Sequence, residues 1–403
     1  MYEERFLMSS KILGGSLIVA GTAIGAGVLA VPVLTAYAGF FPTVLLYSLS
    51  WLFSMLSGLC LLEVMTWFKE KQQINMLSMA QYTLGGIGKI CLWVVYLFLF
   101  YSLLIAYFCE GGNILFRIFG CQGCSLTWIR HLAPLGFALI ICPALLLGTK
   151  VIDYCNRFFV FGLGVAFIAF CILGVFKLKP EFLLRTSWIE SIDNLPVLFL
   201  SFGFHNVVPS LYYYLDKKVA DVKKSIIIGS LFPLILYIIW EGLVLGVVPM
   251  NFLIDAHAHG YTAVESMKNA LQCSLFYVAG EFFGFFALIS SLLGVSLGLM
   301  DFLSDAFHWN KKTHSFSMLF LTIMLPLAWA MCYPEIVLKC LHYAGGIGAS
   351  LIIGVAPLLM VWKGRYGKHS YKAKHLVPGG KIVLLLMFLV IVINFGSIYY
   401  GFK

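Results

Sequence analysis

Eleven apolar stretches, most of them twenty residues or longer, fill this chain almost end to end. An α-helix needs about 20 apolar residues to cross the roughly 30 Å hydrocarbon core of a bilayer. The chain therefore reads as a succession of membrane spans joined by short turns. Of its 403 residues, 61% are hydrophobic and 11% are charged, against about 45–50% and 25% in soluble domains. That balance excludes a globular soluble enzyme, a disordered chain and a secreted disulfide scaffold. No polar stretch is long enough for an aqueous domain. Charges and turn residues divide the spans at 12–37, 42–67, 88–116, 131–149, 156–177, 192–214, 225–248, 275–304, 316–333, 336–362 and 381–400. The expected class is an all-α polytopic membrane protein with eleven transmembrane helices and the lipid bilayer as its solvent.

The formal charge of +9 reflects Lys and Arg in loops on one side, not an affinity for nucleic acid. With eleven spans, 19 of the 27 Lys and Arg fall on the side of the N-terminus and 8 on the other. The positive-inside rule then places the N-terminus in the cytoplasm and, with an odd helix count, the C-terminus outside. The first apolar run is too long for a signal peptide, and Glu3 and Glu4 spoil a basic leader. Most of the 11 Cys, such as Cys60, Cys142 and Cys171, lie in apolar runs and read as small hydrophobes.

Two spans carry breaks near their middles. The first contains Gly21-Thr22-Ala23-Ile24-Gly25-Ala26-Gly27 and then Pro32. Each Gly weakens a helix by about 1 kcal/mol relative to Ala. The sixth contains Ser201-Phe202-Gly203-Phe204-His205-Asn206 and then Pro209. Irregular backbone at membrane depth is tolerated where it is buried in protein or lines a cavity. Paired interruptions five helices apart point to a transporter built on inverted repeats. The repeats would span 12–177 and 192–362, with 381–400 as an extra helix. Unwound backbone offers N–H groups to a carboxylate and carbonyls to an ammonium or a cation, which suits a zwitterionic amino acid. The competing reading is that the glycines only allow close helix packing.

The run Val19–Pro32 resembles the first-helix signature of the bacterial aromatic amino acid permeases. Ser201–Leu211 is similar to their sixth-helix signature, and Leu293–Leu299 with Asp301 and Asp305 to their eighth. The likeness spans the chain and is nearest to the tyrosine-transporting branch, with the tryptophan permeases next. Asn206 follows His205 where Gly is common in relatives, a departure that bears on substrate preference. The resemblance implies a leucine-transporter-like 5+5 core plus one helix, in a bacterial inner membrane, and proton-driven uptake of an aromatic amino acid. A sodium-coupled or small-neutral amino acid permease of the same fold is the alternative. In sodium-coupled relatives of the fold, hydroxyls at about the depth of Ser290 and Ser291 help bind the ion.

Ionisable side chains inside a membrane are costly and usually functional. His205 lies in the second break and either contacts substrate, relays a proton or bonds a backbone carbonyl. Glu241, in mid-span, is a candidate proton site or a partner for a lysine. Glu110 and Glu63 are further proton candidates that both lie near span ends. Asp301 and Asp305 read as partners for nearby lysines. The substrate-binding set is Gly21 to Gly27, Phe202 to Asn206, and Tyr101 and Tyr107 as aromatic walls. A cofactor is not expected. Gly85-Gly86-Ile87-Gly88 and Gly345-Gly346-Ile347-Gly348 lack the strand–turn–helix context of a nucleotide fingerprint. Cys121 and Cys124 form a disulfide, half a metal site or neither. Asp255, His257 and His259 read as a solvated loop rather than a metal site, within an external connection, 250–272, that caps an outer vestibule. With no HExxH motif and no GxxxxGK[ST] loop, zinc hydrolysis and ATP-driven transport are not expected. An intramembrane enzyme or a channel is the remote alternative. Oligomeric state is not readable.

Overall fold

The computed structural model describes residues 2–25, 27–68, 74–118, 127–147, 149–271, 274–307, 309, 314–367, 371 and 375–400. Ala26, Cys121 and Cys124 lie outside the described residues, as do the side chains of Asp301 and Asp305. Every regular element among the described residues is helical. Helices α1 (Tyr2–Ala23) and α2 (Gly27–Leu34) form one span bent by 51°. They are followed by α3 (Phe40–Trp67), α4 (Met76–Ile118), α5 (Thr127–Leu146) and α6 (Thr149–Val175). Two short helices, α7 (Pro180–Leu183) and α8 (Trp188–Ser191), lead into the sixth span, made of α9 (Leu195–Ser201) and α10 (Val208–Tyr214). Next come α11 (Val219–Val247), the connecting pair α12 (Met250–His259) and α13 (Ala263–Leu271), then α14 (Leu275–Phe307) and α15 (Ser315–Cys332). The tenth span runs α16 (Val337–Tyr343), a π-helix (Ala344–Val355) and α17 (Ala356–Tyr366); α18 (Gly380–Tyr400) follows.

Among the described residues, nine spans are long and apolar enough to cross a membrane, and the bent pair makes a tenth. The shorter apolar helix Phe316–Cys332 completes the expected eleven. Long-range ion pairs confirm the alternation. Lys11 pairs with Asp216 and Arg365 with Glu63 on the N-terminal face. Arg117 pairs with Glu265 and Glu281, and Arg130 with Glu335, on the opposite face.

Element ends depart from expectation where polar residues extend a helix past the apolar core. Helix α11 begins at Val219, ahead of 225, because Lys223 and Lys224 are good helix formers at an end that leaves the membrane. Helix α4 begins at Met76 and turns at Gly85, whose φ of +87° favours glycine. The 250–272 connection is not a plain loop but two helices. Inside the tenth span, a Cβ on Gly345 would stand 1.9 Å from the Pro196 carbonyl oxygen. The bare backbone lets the π-helix lie directly on α9, so the string Gly345-Gly346-Ile347-Gly348 serves packing. The spacing Gly294-x-Ser296-x-Gly298 falls inside continuous α14, without the strand-to-helix turn of a nucleophile elbow.

Buried charges clamp both faces. On the N-terminal face, Arg365 donates to both oxygens of Glu63 at 2.7 and 2.6 Å. The Leu376 N–H donates to the same carboxylate at 2.7 Å, and Arg365 also reaches the Val377 carbonyl. The chain after α17 is thereby strapped across the end of α3, with Tyr371 stacked on Trp67. On the other face Arg117 donates to Glu110, Glu265 and Glu281 at 2.9–3.1 Å, joining α4, α13 and α14. Breaking a buried pair by removing one partner costs about 3–5 kcal/mol, because the other charge stays buried. Arg365→Ala is expected to lower stability by about that amount, read as a depressed unfolding midpoint in detergent. An unchanged midpoint would show that Glu63 is not held as described.

Candidate functional site

The two breaks face each other. Helix α1 ends at Ala23 and α2 starts at Gly27; α9 ends at Ser201, and a 3-10 turn at His205–Val207 precedes α10. Helix ends leave carbonyl and N–H groups without intrahelical partners, and hydrocarbon cannot satisfy them. Side chains from three neighbouring helices do so. The Tyr237 hydroxyl on α11 lies 2.6 Å from the Ala23 carbonyl and 3.0 Å from the Ser201 carbonyl. Ser291 on α14 donates to the Ile24 carbonyl at 2.6 Å. Ser54 on α3 donates to the Phe202 carbonyl at 2.5 Å. A Cβ on Gly27 would come 2.6 Å from Ser201 Oγ, so glycine is what lets α2 start directly against the end of α9.

A cavity lies between the breaks. Its walls are Thr22, Ala23, Gly25 and Gly27 from the first break and Ser201, Gly203, His205 and Asn206 from the second. Helix α4 adds Tyr96, Leu99, Phe100, Leu103 and Tyr107, and the tenth span adds Ile352 and Ile353. The cavity thus has a polar rim of broken backbone and an apolar, partly aromatic body, the composition of a small-molecule site. Toward the face of Arg117 a separate vestibule, lined by Leu34, Tyr37, Glu190, Asp193, His257, His259, Glu335 and Lys339, opens between the connecting helices and the sixth span. The vestibule holds about 640 Å³ and the central cavity about 80 Å³, so the wide opening and the narrow centre are distinct compartments.

The expected residues divide into those brought to the cavity and those used elsewhere. Thr22, Ala23, Gly25, Gly27, Gly203, His205, Asn206 and Tyr107 line it. Gly21 does not, and Ile24 contributes its carbonyl to Ser291. Phe202 is buried against Tyr47 and Tyr237, and Phe204 packs beside the Gly58 backbone. Tyr101 points away, its hydroxyl 3.2 Å from the Leu321 carbonyl on α15. Ser290 turns to Asn156 at 2.7 Å. Glu63 and Glu110 are held by Arg365 and Arg117. Glu241 is different. It is wholly buried, Thr35 donates to one carboxyl oxygen, and Tyr47 stands 3.4 Å from the other. Among the described residues no basic side chain lies within ion-pair distance of it.

Tyr237, Tyr47 and Thr35 escaped the sequence reading. Tyr47 stacks on Tyr237 at 5.6 Å, and Tyr237 precedes Glu241 by one helical turn. Glu241 is therefore connected to both breaks through adjoining side chains. The spacing Tyr237-x-x-x-Glu241 was a usable signal, since it puts both on one helix face. The hydroxyls of Thr35 and Tyr47 gave none, because only folding brings them to that face.

Comparison with known proteins gives a consistent picture. The model of the tryptophan/tyrosine permease family matches residues 8–397. A tyrosine-specific transport system of Haemophilus influenzae is 31% identical over 94% of both chains. A tryptophan-specific transport protein of the same organism is 30% identical over 96% of this chain and 95% of its own. The crystal structure of MhsT in complex with L-phenylalanine superposes with a TM-score of 0.64 at 15% identity, covering 97% of each chain. That superposition shows the shared fold.

Tyr237→Phe keeps the ring but removes the hydroxyl that serves two break carbonyls. A buried polar group left without a partner costs about 1–3 kcal/mol. The variant is expected to unfold earlier in detergent by that order, and a midpoint equal to the parent's would remove Tyr237 from the break.

Proposed function

The chain belongs to the tryptophan/tyrosine permease family, and we propose that it is a secondary transporter that imports an aromatic amino acid, tyrosine first, together with a proton. The observation that carries this reading is the cavity itself. Two broken helices present free backbone groups to one end of an apolar and aromatic space. The first turn of α2 offers N–H groups and partial positive charge to the substrate carboxylate. The carbonyls at the ends of α1 and α9, each with a second lone pair beside its hydroxyl partner, accept from its ammonium. The aromatic ring occupies the space between α4 and the tenth span, where Phe100 and Tyr107 supply wall. The specificities of the tyrosine and tryptophan transport relatives support the substrate class.

Alternating access rocks spans 1, 2, 6 and 7 against spans 3, 4, 8 and 9 about the two breaks. The repeats run over 12–177 and 192–362, and α18 stands outside them. The N-terminal face is cytoplasmic, and the vestibule opens to the exterior, capped by α12 and α13.

Glu241 carries the coupling proton. Burying a lone carboxylate is far costlier than burying a neutral acid, and Glu63 and Glu110 each have an arginine while Glu241, among the described residues, has hydroxyls only. Its contact with Thr35, just past α2, links its protonation to the outer half of the first span. Ser291 bears on the sodium alternative. Its hydroxyl oxygen and the Ile24 carbonyl oxygen lie 2.6 Å apart, and both carry lone pairs that a sodium ion would take.

The test is uptake of labelled tyrosine into proteoliposomes under an inward proton gradient or an inward sodium gradient. Competitors are tryptophan, phenylalanine, leucine, glutamine and serine. Saturable, proton-driven uptake blocked mainly by the aromatics is expected. Glu241→Gln is expected to abolish gradient-driven accumulation while tyrosine exchange persists. Dependence on sodium alone, or a Glu241→Gln protein that still concentrates tyrosine on a proton gradient, overturns the coupling assignment.

A further inference from the structure

His205 is 1% exposed, and neither ring nitrogen has a hydrogen-bond partner among the described residues. Most buried side-chain polar atoms are paired, so a histidine with both nitrogens idle calls for an explanation. The ring is not loosely placed. It stacks on Phe204 at 4.9 Å, and Phe204 is wedged where a Cβ on Gly58 would stand 2.7 Å from it. His205 is held firmly in the wall of the central cavity, one step beyond the second break.

The cavity that His205 lines is walled largely by apolar side chains, among them Leu99, Phe100, Ile352 and Ile353. The hydroxyl of Tyr96 is engaged with the Met76 sulfur at 2.9 Å, and Ser201 donates to the Val197 carbonyl. The break backbone accounts for the substrate's charged head. Leu99, Phe100 and the two isoleucines account for a ring. Neither employs a neutral imidazole, which offers one N–H donor and one bare nitrogen acceptor.

We infer that His205 reads a polar edge on the substrate's ring, a phenol O–H or an indole N–H, and so separates tyrosine and tryptophan from phenylalanine. This rests on the transport reading above. The bare nitrogen accepts from the phenol or indole hydrogen, and with phenylalanine that nitrogen stays buried and idle. Sites built to bond a substrate O–H or N–H reject analogues that lack it, because the site's own polar group is left unpaired.

The experiment is competition against labelled phenylalanine exchange in proteoliposomes, with phenylalanine, tyrosine, O-methyltyrosine, tryptophan and 1-methyltryptophan as competitors. The parent protein, His205→Leu and His205→Gln are compared. The parent is expected to favour tyrosine over both phenylalanine and O-methyltyrosine by about tenfold, the worth of one well-made hydrogen bond. Tryptophan is expected to exceed 1-methyltryptophan by a similar factor. In His205→Leu these ratios collapse to within about twofold, and His205→Gln restores part of them. A parent that exchanges phenylalanine, tyrosine and O-methyltyrosine alike overturns the inference and leaves the transport reading standing. So does a His205→Leu protein that keeps the parent's ratios. If His205→Leu does not fold, the methylated analogues on the parent still decide. A parent that exchanges no aromatic amino acid overturns both.

Discussion

Backbone hydrogen bonding in a medium without water is the constraint on which this structure depends. A continuous helix satisfies its own peptide groups; a broken one does not. Each break in this chain is kept by side chains from elsewhere. Tyr237 serves the ends of α1 and α9 together, Ser291 serves Ile24, and Ser54 serves Phe202. The donors come from α3, α11 and α14, so the two irregular segments are properties of the bundle and not of their own spans. The same donors define the cavity's rim, since the groups they leave free are those available to a ligand.

Charge is used sparingly and by position. Ion pairs close both ends of the bundle, Glu63–Arg365 on one face and the Arg117 cluster on the other. Between them stands Glu241, with hydroxyl neighbours and, among the described residues, no counter-charge. A paired carboxylate has its counter-charge in place, and one among hydroxyls does not. This contrast in surroundings, and not residue type, separates a structural acid from a candidate for coupling.

The breaks at Gly25–Gly27 and Phe202–His205 were legible because glycine, proline and polar side chains in an apolar run mark weak helix at a known depth. Tyr107 was legible as an aromatic wall, yet Tyr101 shared its signal and turned to α15. Six residues apart on one helix, they face different neighbours. The surroundings of Glu110 were not legible for a similar reason. Its partner Arg117 lies seven residues on, two helical turns along the same face, but Glu265 and Glu281 join only through a folded connection.

The sequence by itself determined that this chain crosses a membrane eleven times, with two broken spans five helices apart. Those properties follow from the length of apolar runs and from the intrinsic weakness of glycine-rich helix, both of which are local. Only the tertiary structure decided which side chains complete the breaks, which acids are paired and which histidine faces the cavity with its nitrogens idle. Those depend on the rotation of each helix about its own axis, and that rotation is set by packing between helices far apart in the chain.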